Sequence, residues 1–163
     1  MLESDIVAHC APTLAGIKTA NMFNYLPDDM EKLHQEIQEE NCKLNSKGVY
    51  VEILRTGEKR ALIYVYRKNR LEADLNRKGA ESILQTCGYE CGETDCCLRK
   101  LQERFFQYEC FPHEVGLFLG YPLDDVAGFI EQKGKNYKCC GIWKVYGDEH
   151  KSRMTFQKLK KCS

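Results

Sequence analysis

His113 and Glu114 stand directly after Pro112 in the string Phe111-Pro112-His113-Glu114-Val115-Gly116-Leu117-Phe118-Leu119-Gly120-Tyr121-Pro122. A proline favours the first position of a helix, so the pair falls in a first turn. Histidine titrates near neutral pH and can give or take a proton in a reaction. His113 and Glu114 are therefore the candidate catalytic residues. Adjacent helical positions point about 100° apart, so the two do not form one dyad, and other groups must converge on each. The structural alternative is a packed His113 and a Glu114 that satisfies the open N–H groups of the helix start.

Cysteine supplies the second candidate chemistry. The chain has ten cysteines. Cys10, Cys140 and Cys162, with Cys139 and His150 near them in sequence, are candidate soft ligands for Fe or Zn, or a redox group, if the fold brings them together. Small buried core residues are the alternative. Cys87, Cys91, Cys96 and Cys97 are spaced C-x3-C-x4-C-C, a poor match to the paired C-x2-C steps of zinc sites. Arg99 and Lys100 near Cys96 and Cys97 favour thiolate there.

Lys18, Lys144 and Trp143 are candidate cofactor- or substrate-binding residues. The lysines would hold an anionic group, and Trp143 would line a pocket on the sheet with Tyr50, Tyr64, Tyr66 and Tyr146. Strand aromatics equally serve as core. No dinucleotide-binding, Walker, nucleophile-elbow or zincin string occurs.

The elements that must position these groups read in order. Apolar spacing predicts a helix over 12–25 and a second opened by Pro27 and closed by Gly48. Residues 49–54 and 61–66 alternate with period two around Thr56-Gly57-Glu58-Lys59, a hairpin. The second of these strands is apolar on both faces and is expected at the sheet centre. A helix over 70–87, broken near Gly79, is followed by a loop and a helix capped by Thr94 or Asp95 with Leu98, Leu101, Phe105 and Tyr108 on one face. Two Pro-started helices follow at about 112–119 and 122–133. A late strand at about 142–146 and a basic helix after Asp148 complete the chain. The expected fold is α+β over residues 1–163 as a single domain. Its three-stranded, mainly antiparallel sheet consists of the hairpin at about 49–67 plus the late strand, packed by several helices.

The strings around Pro112-His113-Glu114 and Cys140-Gly141-Ile142-Trp143-Lys144-Val145-Tyr146-Gly147, with His9-Cys10-Ala11-Pro12-Thr13-Leu14 at the start, resemble a bacterial family with a Pro-His-Glu motif (domain of unknown function 3793). The resemblance covers nearly the whole chain. It implies a bacterial, cytosolic, single-domain protein of largely anaerobic Gram-positive bacteria, and it assigns no activity, cofactor or catalytic residue.

Composition narrows the function classes. Lys+Arg and Asp+Glu are both 24, so the net charge is zero and a dedicated nucleic-acid binder is not expected. A helix-turn-helix reading of the paired short helices is opposed by Asp124, Asp125 and Glu131 in the second. No apolar run reaches a membrane span. The acidic start, with Glu3 and Asp5, is unlike a secretion signal, so a cytoplasmic location with reduced thiols is expected. The leading expectation is a thiol-rich binding or accessory protein with a metal- or redox-linked role, acting on a small molecule or protein. The alternatives are a small enzyme using His113 as acid or base in a pocket, and a protein–protein adaptor.

Overall fold

The structure is a computed structural model that describes residues 1–90, 92–107 and 111–162. Cys91 of the thiol-rich stretch and Tyr108 of the expected helix face lie outside the described residues. Among the described residues the helices and strands follow in this order: α1 (Leu2–Leu14), β1 (Ala20–Tyr25), α2 (Met30–Leu44), β2 (Val49–Thr56), β3 (Ala61–Arg67), α3 (Lys68–Leu75), α4 (Ala80–Thr86), α5 (Thr94–Gln107), α6 (Val115–Phe118), α7 (Leu123–Gln132), β4 (Cys139–Cys140), β5 (Lys144–Val145) and α8 (Glu149–Cys162). A single 3-10 turn, Asn45–Lys47, joins α2 to β2.

The fold is α+β around a three-stranded antiparallel sheet with strand order β1-β3-β2. The hairpin and the central position of its second strand stand as expected, but the third strand does not. It is β1, which pairs with β3 from Ala20↔Tyr66 to Tyr25↔Ala61. The expected late strand pairs only Cys139–Cys140 with Lys144–Val145, as a separate two-stranded ribbon. The helix expected over 12–25 is correspondingly wrong. Pro12 lies inside α1, after a non-helical Cys10, rather than at a helix start. Gly16 takes φ +81°, and the N–H groups of Ile17 and Lys18 fold back onto the Pro12 carbonyl. The chain thus turns before the Met22 and Tyr25 stripe can continue the helix, and β3 supplies a ladder for it instead.

Alternation along β3 builds two cores. Leu62, Tyr64 and Tyr66 face one way, into a cluster shared with α3 to α7. Ala61, Ile63 and Val65 face the other, against Leu2, Ile6, Leu33 and Ile37 of α1 and α2. The sheet is therefore covered on both faces, and period-two alternation in a doubly covered strand explains its apolar run. Each fully buried large side chain contributes roughly 1.5–3 kcal/mol relative to exposure.

Polar ties link the layers. The Tyr64 hydroxyl donates to the Phe118 carbonyl at 2.5 Å, joining β3 to α6. Arg67 donates from Nε to Thr13 O at 2.7 Å and from a terminal nitrogen to Leu14 O at 2.8 Å, which satisfies carbonyls at the end of α1. Asn41 binds both the N–H and the carbonyl of Val51, fixing α2 to β2. The break at Gly79 separates α3 from α4 as the sequence indicates.

Candidate functional site

The segment 111–116, α7 and the β4–β5 ribbon enclose a cleft of about 310 Å³. Its walls are mainly apolar and aromatic, with Tyr121, Val126, Phe129, Ile142 and Trp143 among them. His113, Cys140 and Lys144 also line it. His113 is exposed, and its ring meets the Phe129 ring edge-on at 5.3 Å.

Trp143 owes its position to α7. The ribbon packs its indole between Tyr121, stacked at 4.7 Å, and Phe156 of α8, edge-on at 4.6 Å. The indole N–H donates to Asp125 Oδ2 at 2.6 Å. Asp125 is only 3% exposed and also accepts from the N–H groups of Tyr146 and Gly147 and from the Ser152 hydroxyl. Four donors thus replace the water this carboxylate gave up. Gly128 allows the close approach: a Cβ there would lie 2.3 Å from the Tyr146 ring.

Lys144 donates to the Gly134 carbonyl at 2.7 Å, with its ammonium 5.0 Å from the centre of the Tyr137 ring and 5.7 Å from that of Phe129. An ammonium has three donors, so this bond leaves capacity for a ligand. Cys140 is exposed, and its thiol makes one weak contact, to the Gly141 carbonyl at 3.9 Å.

Glu114 behaves differently from its neighbour. The regular turn of α6 begins at Val115, and Glu114 makes no side-chain cap there. Its side chain is fully buried, away from the cleft lining, and ion-pairs with Arg104 of α5. It accepts from Arg104 Nη2 at 3.2 Å and from the Tyr89 hydroxyl at 3.0 Å. Burial, with the Glu114 carboxylate beside it, pushes the Cys87 thiol up to about 11. The helix expected over about 112–119 is only Val115–Phe118, so His113 and Glu114 lie in the turn before it, where one faces the cleft and the other the core.

The remaining sequence candidates spread out. Cys10 is buried between α1 and the sheet, and burial pushes its thiol up to about 12, opposed by Lys18. Cys162 is half-buried at the end of α8, and His150 is exposed near its start. Among the described residues, no three His, Cys, Asp or Glu side chains are grouped to hold a metal ion. Cys96 and Cys97 lie in the first turn of α5, Cys97 buried and Cys96 half-buried. Tyr64 and Tyr66 are core, as the alternative reading had it. Lys18 does not line the cleft of Lys144; it lines two other cavities, one of which it shares with Trp143.

Sequence reasoning missed Asp125, Tyr121 and Phe129. Asp125 counts in the sequence only as acidic charge against a DNA-recognition helix, although its place beside Val126 on the apolar side of α7 marks it as inward-facing. Among the described residues no helix is long and apolar enough to cross a membrane. No curated protein and no solved structure matches the chain. The family model described as protein of unknown function (DUF3793) matches residues 6–163, and the chain belongs to that family.

Proposed function

We propose that this protein binds a small, flat, largely apolar molecule bearing an acidic group, in the cleft between His113, α7 and the β4–β5 ribbon. The observation that carries this reading is an aromatic cleft whose few polar side chains are His113, Cys140, Lys144 and Asp125, the last with its carboxylate already taken up by four donors. Ligand sites combine apolar walls with a few placed polar groups, and this volume sits at the small end of their range. Stacking on the aromatic walls would hold the ring, and Lys144 would pair with the acid. Cys140 supplies the thiol for a redox-linked or soft-metal-bearing ligand, which is how the cysteine-rich accessory role enters.

A second reading, an enzyme using His113 as acid or base, draws on the exposure of His113 at the cleft wall. Glu114 would not orient the imidazole in it, because its carboxylate is committed to Arg104 and Tyr89.

Titration with anilinonaphthalene sulfonate, an anionic aromatic probe, tests the binding reading. Saturable one-site emission is expected, accompanied by quenching of Trp143, the single tryptophan. Lys144→Met should weaken binding about tenfold, the loss of one charge-assisted contact. Ile142→Trp, at a partly exposed cleft position, should block it. Non-saturable emission, or full binding to the Ile142→Trp variant, would overturn the reading.

A further inference from the structure

Lys18 is only 8% exposed. Its ammonium lies 5.4 Å from the centre of the Tyr121 ring. Among the described residues no carboxylate or carbonyl hydrogen-bonds or ion-pairs with it. A buried lysine without such a partner is costly, and the fold has not satisfied it internally. Lys18 does reach open space. It lines one cavity of about 540 Å³ between the α1–β1 turn, α3, α7 and α8, and another beside His9 and Lys160.

The larger cavity has its own charge pattern. Arg70, Arg77 and Lys151 line it with Lys18. Arg70 spends one nitrogen on the Gly16 carbonyl, and a guanidinium carries further donors. Of the opposing carboxylates, Asp125 is saturated by four donors, Asp148 accepts the Lys151 N–H, and Asp124 is exposed. The ionisable neighbour that bears on the Lys18 ammonium is the Cys10 thiol, which burial itself holds protonated.

We propose that Lys18 is the nucleophilic amine of a second site, which captures a small aldehyde or keto compound carrying an anionic group as an imine. The amine lone pair attacks the carbonyl carbon and a C–N bond forms. The carbonyl oxygen then leaves as water with both amine hydrogens, and the C=N bond remains. Arg70 and Lys151 would hold the anionic group. Burial supports the chemistry, because it pushes the Lys18 amine down to about 8 and so raises the neutral, attacking fraction near neutral pH.

The test is reductive trapping on the intact chain: glyoxylate with cyanoborohydride near neutral pH, then peptide mapping of every lysine. Lys18 should be modified at least about tenfold faster than exposed Lys32 and Lys59, the advantage of a desolvated amine over ordinary ones. Acetaldehyde, which lacks the anion, should label Lys18 several-fold more slowly than glyoxylate. The Lys18→Arg variant keeps the charge, and it should retain its circular dichroism and lose the fast label. Lys18 labelled no faster than Lys32 would overturn the imine assignment. Equal rates with acetaldehyde and glyoxylate would overturn the anionic class of ligand.

Discussion

The indole N–H of Trp143 donates to the buried carboxylate of Asp125 over 2.6 Å, and this bond ties the β4–β5 ribbon to α7. The same carboxylate holds the backbone of Tyr146 and Gly147 and the Ser152 hydroxyl of α8. One side chain therefore assembles three elements of the C-terminal region around the cleft wall. The ribbon itself has only two residue pairs, too few to be stable alone.

Asp125→Ala should lose about 3 kcal/mol or more of stability, because it leaves several buried donors without an acceptor. Urea unfolding followed by circular dichroism measures it, and Trp143 emission in the folded state should shift to the red. Asp124→Ala, one residue away and exposed, should change stability by less than about 0.5 kcal/mol. Equal effects from the two variants would contradict the role given to Asp125.

Glu114→Gln should act on stability and leave the cleft intact. It removes the charge that pairs with Arg104, whose side chain keeps some contact with solvent. Breaking a fully buried pair costs about 3–5 kcal/mol, and the partial exposure of Arg104 lowers the expectation to about 2 kcal/mol. Affinity for anilinonaphthalene sulfonate in the folded variant should stay within about twofold of the parent. A larger loss of affinity with unchanged stability would show that Glu114 serves the cleft directly.

Lys18 makes a pH prediction whose sign follows from its lowered pKa. The folded state releases the Lys18 proton near 8, whereas the unfolded chain holds it to 10.5. Between these values the unfolded state binds more protons, so this group's contribution to stability rises with pH and is most unfavourable below about 8. Cys10 acts oppositely, since its pKa is raised from 9.0 to about 12 and it favours the folded state less as pH climbs through that window's lower end, where the unfolded thiol ionises. The clean measurement is therefore the difference between Lys18→Met and the parent. Lys18→Met should be more stable near pH 7 by about 1–3 kcal/mol, and the gain should shrink as pH passes from 8 towards 10.5. A constant difference across that range would refute the depressed pKa.

Thiol reactivity should sort by burial. Cys42 and Cys140 are exposed, whereas Cys10 and Cys97 are buried. Maleimide pulses read by peptide mapping should label Cys42 and Cys140 at least about a hundredfold faster than Cys10, whose thiol is both inaccessible and held protonated. Saturating anilinonaphthalene sulfonate should slow labelling of Cys140 and leave Cys42 unchanged. Equal protection of both would argue that the probe does not occupy the cleft.

The hairpin, the centrality of β3, the break at Gly79 and the start of α7 at Pro122 were legible in the sequence because each depends on local signals. Those signals are period-two alternation, turn residues and helix punctuation, which act over a few positions. β1 was not legible, because Pro12 and the Leu14, Ile17, Met22 and Tyr25 spacing imitate a helix. The decision between helix and strand lay in the ladder offered by β3, some forty residues on. The late strand failed for the converse reason: its residues suit a sheet, but β1 and β2 already flank β3.

The candidate site divides along the same line. From the residues alone, His113, Cys140, Lys144 and Trp143 had the types for a binding site, and the fold brings these four to one cleft. The sequence could not separate His113 from Glu114, since only the position of Arg104 and Tyr89 on other segments draws the carboxylate inward. Nor could it show that Cys10 is sealed in the core, or that Lys18 faces open cavities rather than a carboxylate. Local propensity acts between neighbours in the chain, whereas burial and charge pairing are settled between segments far apart in it, so the chemistry of each side chain waited on the tertiary structure.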